Sequence, residues 1–211
     1  MKILRAVKKG NSDVKIELDN GDVIYLSYEI FFKSGLRKND EISSDRFSLL
    51  IEENKLFHIK QKAYRLLSRR IHSEFELRQK LSQKEYQRYL IDRVIDELLA
   101  KKYLNDYEFA NQFADENIKN KLWGEKKLIA ELYKKGIDKK IISDIVLDKF
   151  SEGNNLGNAD QLAAKKIKQL AYKNLERQKL MRKIITFLLG KGYDFETAKQ
   201  AAENALPDST G

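Results

Sequence analysis

One four-residue turn appears twice in this chain, and it constrains the architecture more than any other feature. Lys135-Gly136-Ile137-Asp138 recurs as Lys191-Gly192-Tyr193-Asp194. Glycine reaches φ > 0 without a Cβ penalty and suits the position just past a helix C-terminus. The apolar residue after it packs back onto the finished helix, and the Asp accepts from the free N–H groups that open the next one. The unit therefore reads helix, tight stop, helix. The flanking helices match too: Leu128 and Leu132 line up with Ile184 and Leu188, and Ile145 with Ala201. An earlier copy aligns Leu77, Leu81, Tyr86, Leu90, Ile91 and Val94 with Leu128, Leu132, Ile137, Ile141, Ile142 and Ile145. There Glu85 replaces the turn glycine, so that turn must differ. Three diverged copies of one helical unit indicate a short tandem array.

The region before the array reads differently. Val14, Ile16 and Leu18 alternate with Lys15 and Glu17, the period of a half-buried strand. Asn20-Gly21 signals a hairpin in which both turn residues take φ > 0, and Val23, Ile24, Tyr25 and Leu26 return. Ile3, Arg5 and Val7 offer a third strand. Residues 28–34 and 44–54 read as short helices joined by a polar stretch. From Leu56 the period is helical, with Ile59, Ala63, Leu66 and Leu67 on one face. Ser73 and Glu76 have capping-box spacing, and Asn105 opens the second copy with Glu108 three residues on. Gly124 precedes the second helix of that copy, Gly136 ends it and Asp138 opens the next; Gly192 and Asp194 do the same in the third. The first two helices of the third copy read as nearly continuous through 173–179.

The fold class expected is mainly α: three tandem three-helix, helix-turn-helix-like repeats in an elongated curved array, after a small N-terminal region containing a β-hairpin. The divisions are 1–55 for the N-terminal α/β region and 56–104 and 105–150 for the first two repeats. A Gly- and Asn-rich linker at 151–158 leads to the third repeat at 159–206, and 207–211 form a tail.

Little in the sequence suggests catalysis. There is no cysteine, which excludes disulfides and thiolate metal sites and fits a reducing cytoplasm. No apolar run approaches the ~20 residues of a membrane span. His58 and His72 are the only histidines, so a multi-histidine metal cluster is excluded, and His72, beside the Ser73 cap, reads as support for a turn. Neither a P-loop nor a dinucleotide-binding glycine motif occurs. The carboxylates interleave with Lys and Arg at helical spacing, the pattern of a solvated face. No catalytic residue, metal or cofactor is expected.

Recognition is what remains. The net charge is +9, which favours an anionic partner, nucleic acid most commonly; the alternative is a set of Lys-rich solvated faces. The excess lies in the first and third copies, with a neutral copy between. Arg65, Arg69 and Arg70 cluster at one helix end, followed by Arg78 and Lys80. They suit phosphate or carboxylate contact, or the negative end of the helix dipole. In the third copy Lys165, Lys166, Lys168, Lys173, Arg177, Lys179, Arg182 and Lys183 read as a basic run over about five helical turns, apt for backbone phosphate. Trp123 reads as a buried anchor, with base stacking the alternative.

These residues resemble a known family. The run from Leu67 through Ser68-Arg69-Arg70-Ile71-His72-Ser73-Glu74-Phe75-Glu76-Leu77-Arg78-Gln79-Lys80 to Leu81 is similar to the first-repeat signature of RecX, the regulator of the bacterial recombinase RecA. Tyr103-Leu104-Asn105-Asp106-Tyr107-Glu108-Phe109-Ala110 resembles its junction into the second repeat. Trp123-Gly124-Glu125-Lys126-Lys127-Leu128 through Leu132 to Lys135-Gly136-Ile137 resembles its second-repeat motif. The likeness covers about residues 57–206 and excludes the N-terminal strands. It implies three tandem three-helix units, binding to RecA and to RecA filaments on single-stranded DNA, damping of recombinase activity, and no catalysis; a monomer is expected, in the cytoplasm that the lack of cysteine fits. Direct DNA contact through the basic helices, and end-capping versus groove binding, stay open. The competing reading is a helix-turn-helix transcription regulator.

Overall fold

A computed structural model describes residues 1–84, 86–151, 155–173 and 175–206, with Lys173 described by its backbone alone. The turn expected to differ at Glu85, the middle of the expected linker (152–154) and the tail (207–211) lie outside the described residues. Three strands come first: β1 (Ile3–Lys9), β2 (Asp13–Leu18) and β3 (Val23–Ser27). Helices follow: α1 (Tyr28–Ser34), α2 (Ser44–Leu67), α3 (Glu74–Ser82), α4 (Arg88–Ala100), α5 (Asp106–Lys121), α6 (Glu125–Lys134) and α7 (Lys139–Phe150). The third repeat supplies α8 (Asn155–Leu170), a short 3₁₀ turn at Ala171–Lys173, α9 (Arg177–Gly190) and α10 (Phe195–Ala205). Packing divides the chain into two compact units, Met1–His72 with Glu76–Leu104, and Ser73–Phe75 with Asn105–Gly211.

The first unit opens with an antiparallel sheet in the order β1-β2-β3, in which Ala6 pairs with Ile16 and Val14 with Leu26. The hairpin is not the two-residue turn expected at Asn20-Gly21. Leu18 N–H donates to Asp22 O (2.9 Å) and Gly21 N–H to Leu18 O (3.1 Å), which closes a three-residue loop. Only Gly21 takes positive φ (88°) there, the usual geometry of a type I turn ending in a left-handed glycine. Asn20 is freed for a local role, its Oδ1 accepting from Asp22 N–H at 3.1 Å.

Ile3, Val14, Ile16, Leu18 and Leu26 make the inward face of the sheet and pack with Leu36, Ile42 and Leu50. The buried Asn54 completes β3: its Oδ1 accepts from Ser27 N–H (2.7 Å) and its Nδ2 donates to Tyr25 O (3.0 Å). Helix α2 runs across the division expected at 55/56. Residues 44–54 and the helix expected from Leu56 are one element, with no Gly or Pro to interrupt it. Its first half lies on the sheet core through Leu50 and its second half on another core through Ile59 and Ala63. That second core belongs to the first repeat and includes Leu77, Leu81, Leu90, Ile91, Val94, Ile95 and Leu98.

In the second unit the second repeat buries Phe109, Ala110, Ala114, Leu128, Leu132, Ile137, Ile142 and Ile145. The third gathers Ala159, Leu162, Ala163, Ile184, Leu188, Tyr193, Ala198, Ala201 and Ala202. The aligned positions of the sequence repeat therefore occupy equivalent places: Leu77, Leu128 and Ile184 are all fully buried, as are Leu81, Leu132 and Leu188. Both glycine stops form as expected. Gly136 (φ 73°) and Gly192 (φ 96°) are left-handed. Ile137 N–H reaches Leu132 O and Tyr193 N–H reaches Leu188 O, each at 3.2 Å, the six-to-one bond of a Schellman stop.

Two expectations for the third repeat are corrected. The linker does not run to residue 158, since α8 begins at Asn155 and seats Leu156 against the third core. The helices through 173–179 are not continuous either, because α8 ends at Leu170 and α9 begins at Arg177. A straight helix cannot return to the core it has left. The break lets Leu162 and Ala163 from one helix, and Ile184 and Leu188 from the other, share one interior.

Candidate partner-binding and nucleic-acid-binding surfaces

The helix starts explain where the polar side chains are used. Asn105 Oδ1 accepts from the N–H groups of Tyr107 (3.0 Å) and Glu108 (3.2 Å) at the start of α5. Asp138 accepts from Lys140 N–H (2.7 Å) at the start of α7. Asp194 takes both the N–H (2.8 Å) and the hydroxyl (2.6 Å) of Thr197 at the start of α10, and those two bonds hold its carboxyl below the ordinary range.

The start of α6 is capped from the following repeat. Gly124 N–H donates to Lys191 O (2.9 Å) and Lys126 N–H to Gly192 O (3.0 Å), so the glycine stop of the third repeat closes the open end of α6. A Cβ on Gly124 would lie 2.7 Å from the Gly192 carbonyl, and one on Gly192 would strike the Lys127 backbone. A related contact lies one repeat earlier. Ser73 Oγ donates to Lys135 O (2.8 Å), and Gly136 lies directly on Phe75. Asp106 adds an acceptor for Glu74 N–H at 2.8 Å, and burial raises its carboxyl despite that bond. The turn of the third repeat thus has two tasks, ending its own helix and capping α6, while that of the second ends its helix and accepts the Ser73 hydroxyl.

Of the arginines and lysines expected to form a site in the first unit, three are engaged internally. Arg70 pairs with Glu76 at 2.8 Å and donates to Ile71 O at 2.7 Å. Glu76, expected in a capping box, thereby also holds the arginine. Arg78 pairs with Asp92. Lys80 Nζ sits 2.9 Å from His72 Nε2, and His72 Nδ1 sits 2.9 Å from Arg70 O. The pattern requires the neutral Nδ1–H tautomer, donating to the carbonyl and accepting from the ammonium. His72 is only 3% exposed, and burial lowers its pKa from the ordinary value. It supports the α2–α3 turn. Arg65 and Arg69 are exposed and make no side-chain bond among the described residues.

In the third repeat the structure scatters the expected run over two helices. Lys165 and Lys168 are exposed on α8, and the Lys173 side chain is outside the described residues. Arg177 donates to Leu206 O. Lys179 pairs with Glu176 at 3.4 Å. Lys166, Arg182 and Lys183 are brought together around a depression of about 520 Å³ with Leu170, Thr186 and Phe187.

Sequence reasoning missed one arrangement. Trp123 is half-buried, edge-on to Phe113 at 6.0 Å, with Lys121 Nζ 4.8 Å and Lys127 Nζ 5.9 Å from its ring centre. Lys135 Nζ lies 6.0 Å from the Phe113 ring. Lys166 Nζ at 4.9 Å and Lys191 Nζ at 5.7 Å flank Phe187. The available signal was lysine two before and four after Trp123. Among the described residues no group of three His, Asp or Glu is placed to hold a metal ion, and no helix is long and apolar enough to cross a membrane.

Comparison with known proteins matches this architecture repeat by repeat. The first three-helix domain of RecX matches residues 60–98, the second 105–145 and the third 155–202. A Regulatory protein RecX of Finegoldia magna is 31% identical over 88% of this chain and 90% of its own. One from Clostridium botulinum is 28% identical over 96% of this chain and 94% of its own. A crystal structure of regulatory protein RecX superimposes with a TM-score of 0.73, at 19% identity, covering 96% of this chain and 98% of the other. The sheet, the three helical repeats and the matches along nearly the whole length agree: this chain belongs to the RecX family.

Proposed function

We propose that the protein is a non-catalytic regulator of a RecA-type recombinase. It binds the recombinase and its filament on single-stranded DNA and lowers DNA-dependent ATP hydrolysis. Family membership carries this reading, and the repeat architecture supports it. Repeated helical units each offer a surface of their own, and a polymer of identical subunits offers each of them a partner. Arg65 and Arg69, exposed and without a side-chain bond among the described residues, are well suited to carboxylate or phosphate on such a polymer. The natural setting is the cytoplasm, with the protein acting as a monomer.

The transcription-regulator reading has less support. A helix that reads base edges needs Arg, Asn or Gln on its outer face. The exposed face of α7 carries Asp144, Leu147 and Asp148 beside Lys139 and Lys140. The carboxylates would meet phosphate with like charge.

The test is ATP hydrolysis by RecA on single-stranded DNA, with this protein added up to stoichiometric amounts. Inhibition is expected. Arg65→Ala combined with Arg69→Ala is expected to weaken it several-fold at unchanged helicity, whereas Arg70→Ala acts mainly through the lost Glu76 pair. Undiminished hydrolysis with folded protein would overturn the proposal.

A further inference from the structure

The rings and lysines of the second unit are joined into one series. Phe109 stacks on Phe113 (5.8 Å between centres), which meets Trp123 edge-on at 6.0 Å. From Trp123 the series continues through Lys127, whose backbone lies against Gly192. It then passes to Lys191 in the same turn, which reaches Phe187 and the depression beside it. Lysines from α5, α6, α8 and two helix stops are thus drawn onto three rings. A core needs no cation over its aromatic residues, and an exposed cation–π contact contributes only about 0.5–1 kcal/mol. Glu131 takes Lys127 at 3.2 Å and Lys134 at 2.9 Å, so one carboxylate is shared between two lysines and leaves Lys127 with charge to spare.

We infer that this series is a binding track for single-stranded nucleic acid, in which phosphates draw Lys121, Lys127, Lys166 and Lys191 off the ring faces and unpaired bases take their place on Trp123 and Phe187. Alternating cations and aromatic faces are what a single strand presents partners for, since each nucleotide carries one charge and one π-face. A duplex keeps its bases inside and gives the rings nothing to stack on. The track crosses from the second repeat to the third at the Gly124–Lys191 bond, so its two halves are held in fixed register. This goes beyond the recombinase reading and stands or falls without it.

Trp123 is the one tryptophan in the chain, so its fluorescence reports on the track alone. The full protein is titrated with an oligothymidylate, with a duplex of equal length and with polyglutamate. Saturable quenching by the oligothymidylate is expected, with affinity falling by a log–log salt slope of about −0.7 per phosphate contacted. The duplex should bind at least tenfold more weakly, and polyglutamate should leave the emission unchanged. Lys121→Glu with Lys166→Glu should cost at least tenfold in affinity at unchanged circular dichroism and melting temperature. Absence of quenching, equal response to the duplex or to polyglutamate, or full affinity in the folded double variant would each overturn the inference. No recombinase is present in this titration, so its failure leaves the regulator reading untouched, and the converse holds for the ATPase assay.

Discussion

Gly192 shows how one residue can serve two helices. Its left-handed backbone ends α9, and its carbonyl takes the Lys126 N–H that would otherwise be orphaned at the start of α6. Gly35 is equally left-handed (φ 68°) at the end of α1, yet a Cβ there would meet nothing within 4 Å. The pair separates backbone strain from steric contact. Gly35→Ala is expected to cost about 1–2 kcal/mol, the left-handed penalty of an L-residue. Gly192→Ala adds a Cβ that strikes the Lys127 backbone, and overpacking of that kind costs a further ~1–3 kcal/mol. Denaturant unfolding of both variants measures the difference. Equal losses would mean that the Gly192–Lys127 contact relaxes freely. The turn-ending role was legible from Lys-Gly-Tyr-Asp itself, because left-handed φ is a local property. The capping of α6 was not, because it joins Gly124 to Lys191 and no local pattern announces so distant a partner.

Among whole elements, the helices that the sequence revealed are those whose ends carry their own signals. Asn105, Asp138 and Asp194 each cap as expected, and α1 is found at Tyr28–Ser34 as read. The failures are ends set by packing. Helix α2 runs on where a boundary was expected because its two halves serve two cores, and α8 and α9 separate without a Gly or Pro because both must face one core. The basic run expected along a single helix was lost with that break. A third kind of end is α4, which stops in the same Schellman geometry with no glycine. Lys102 takes φ 58°, its N–H reaches Leu99 O and Tyr103 N–H reaches Leu98 O, both at 2.9 Å. Lys102 is exposed, so its side chain gives little in return for the strain. Lys102→Gly removes about 1–2 kcal/mol of left-handed strain and gives back about 0.4–1 kcal/mol through the freer unfolded chain. The variant is expected to be more stable by about 0.5–1 kcal/mol, read as a raised denaturant midpoint at unchanged slope. A lowered midpoint would show that the lysine does more than cap.

At the scale of the whole molecule, the two units differ in what acid does to them. Both histidines, His58 and His72, lie in the first unit, and the second has none. His58 is exposed on α2, whereas His72 is buried and neutral between Arg70 O and the Lys80 ammonium. Its folded pKa is lowered by burial, so the unfolded chain takes up a proton before the folded one does. The stability this supplies is complete above the unfolded value near 6.5 and is lost as pH falls below it toward the folded pKa. The loss is at most about 1.4 kcal/mol for each pH unit in that window. In the second unit Asp106 works in the opposite sense, since burial raises its carboxyl and protonation then favours the folded form. Asp194, held low by Thr197, gives up stability only in the carboxylate range. Between pH 7.5 and 5.5 the melting transition of the first unit should therefore move down while that of the second holds or rises slightly, so that calorimetry separates two transitions on mild acidification. His72→Gln, which keeps a polar group of similar reach but cannot titrate, should abolish the separation. Transitions that shift together, or a shift that survives His72→Gln, would mean that the two units unfold as one or that another group carries the pH dependence.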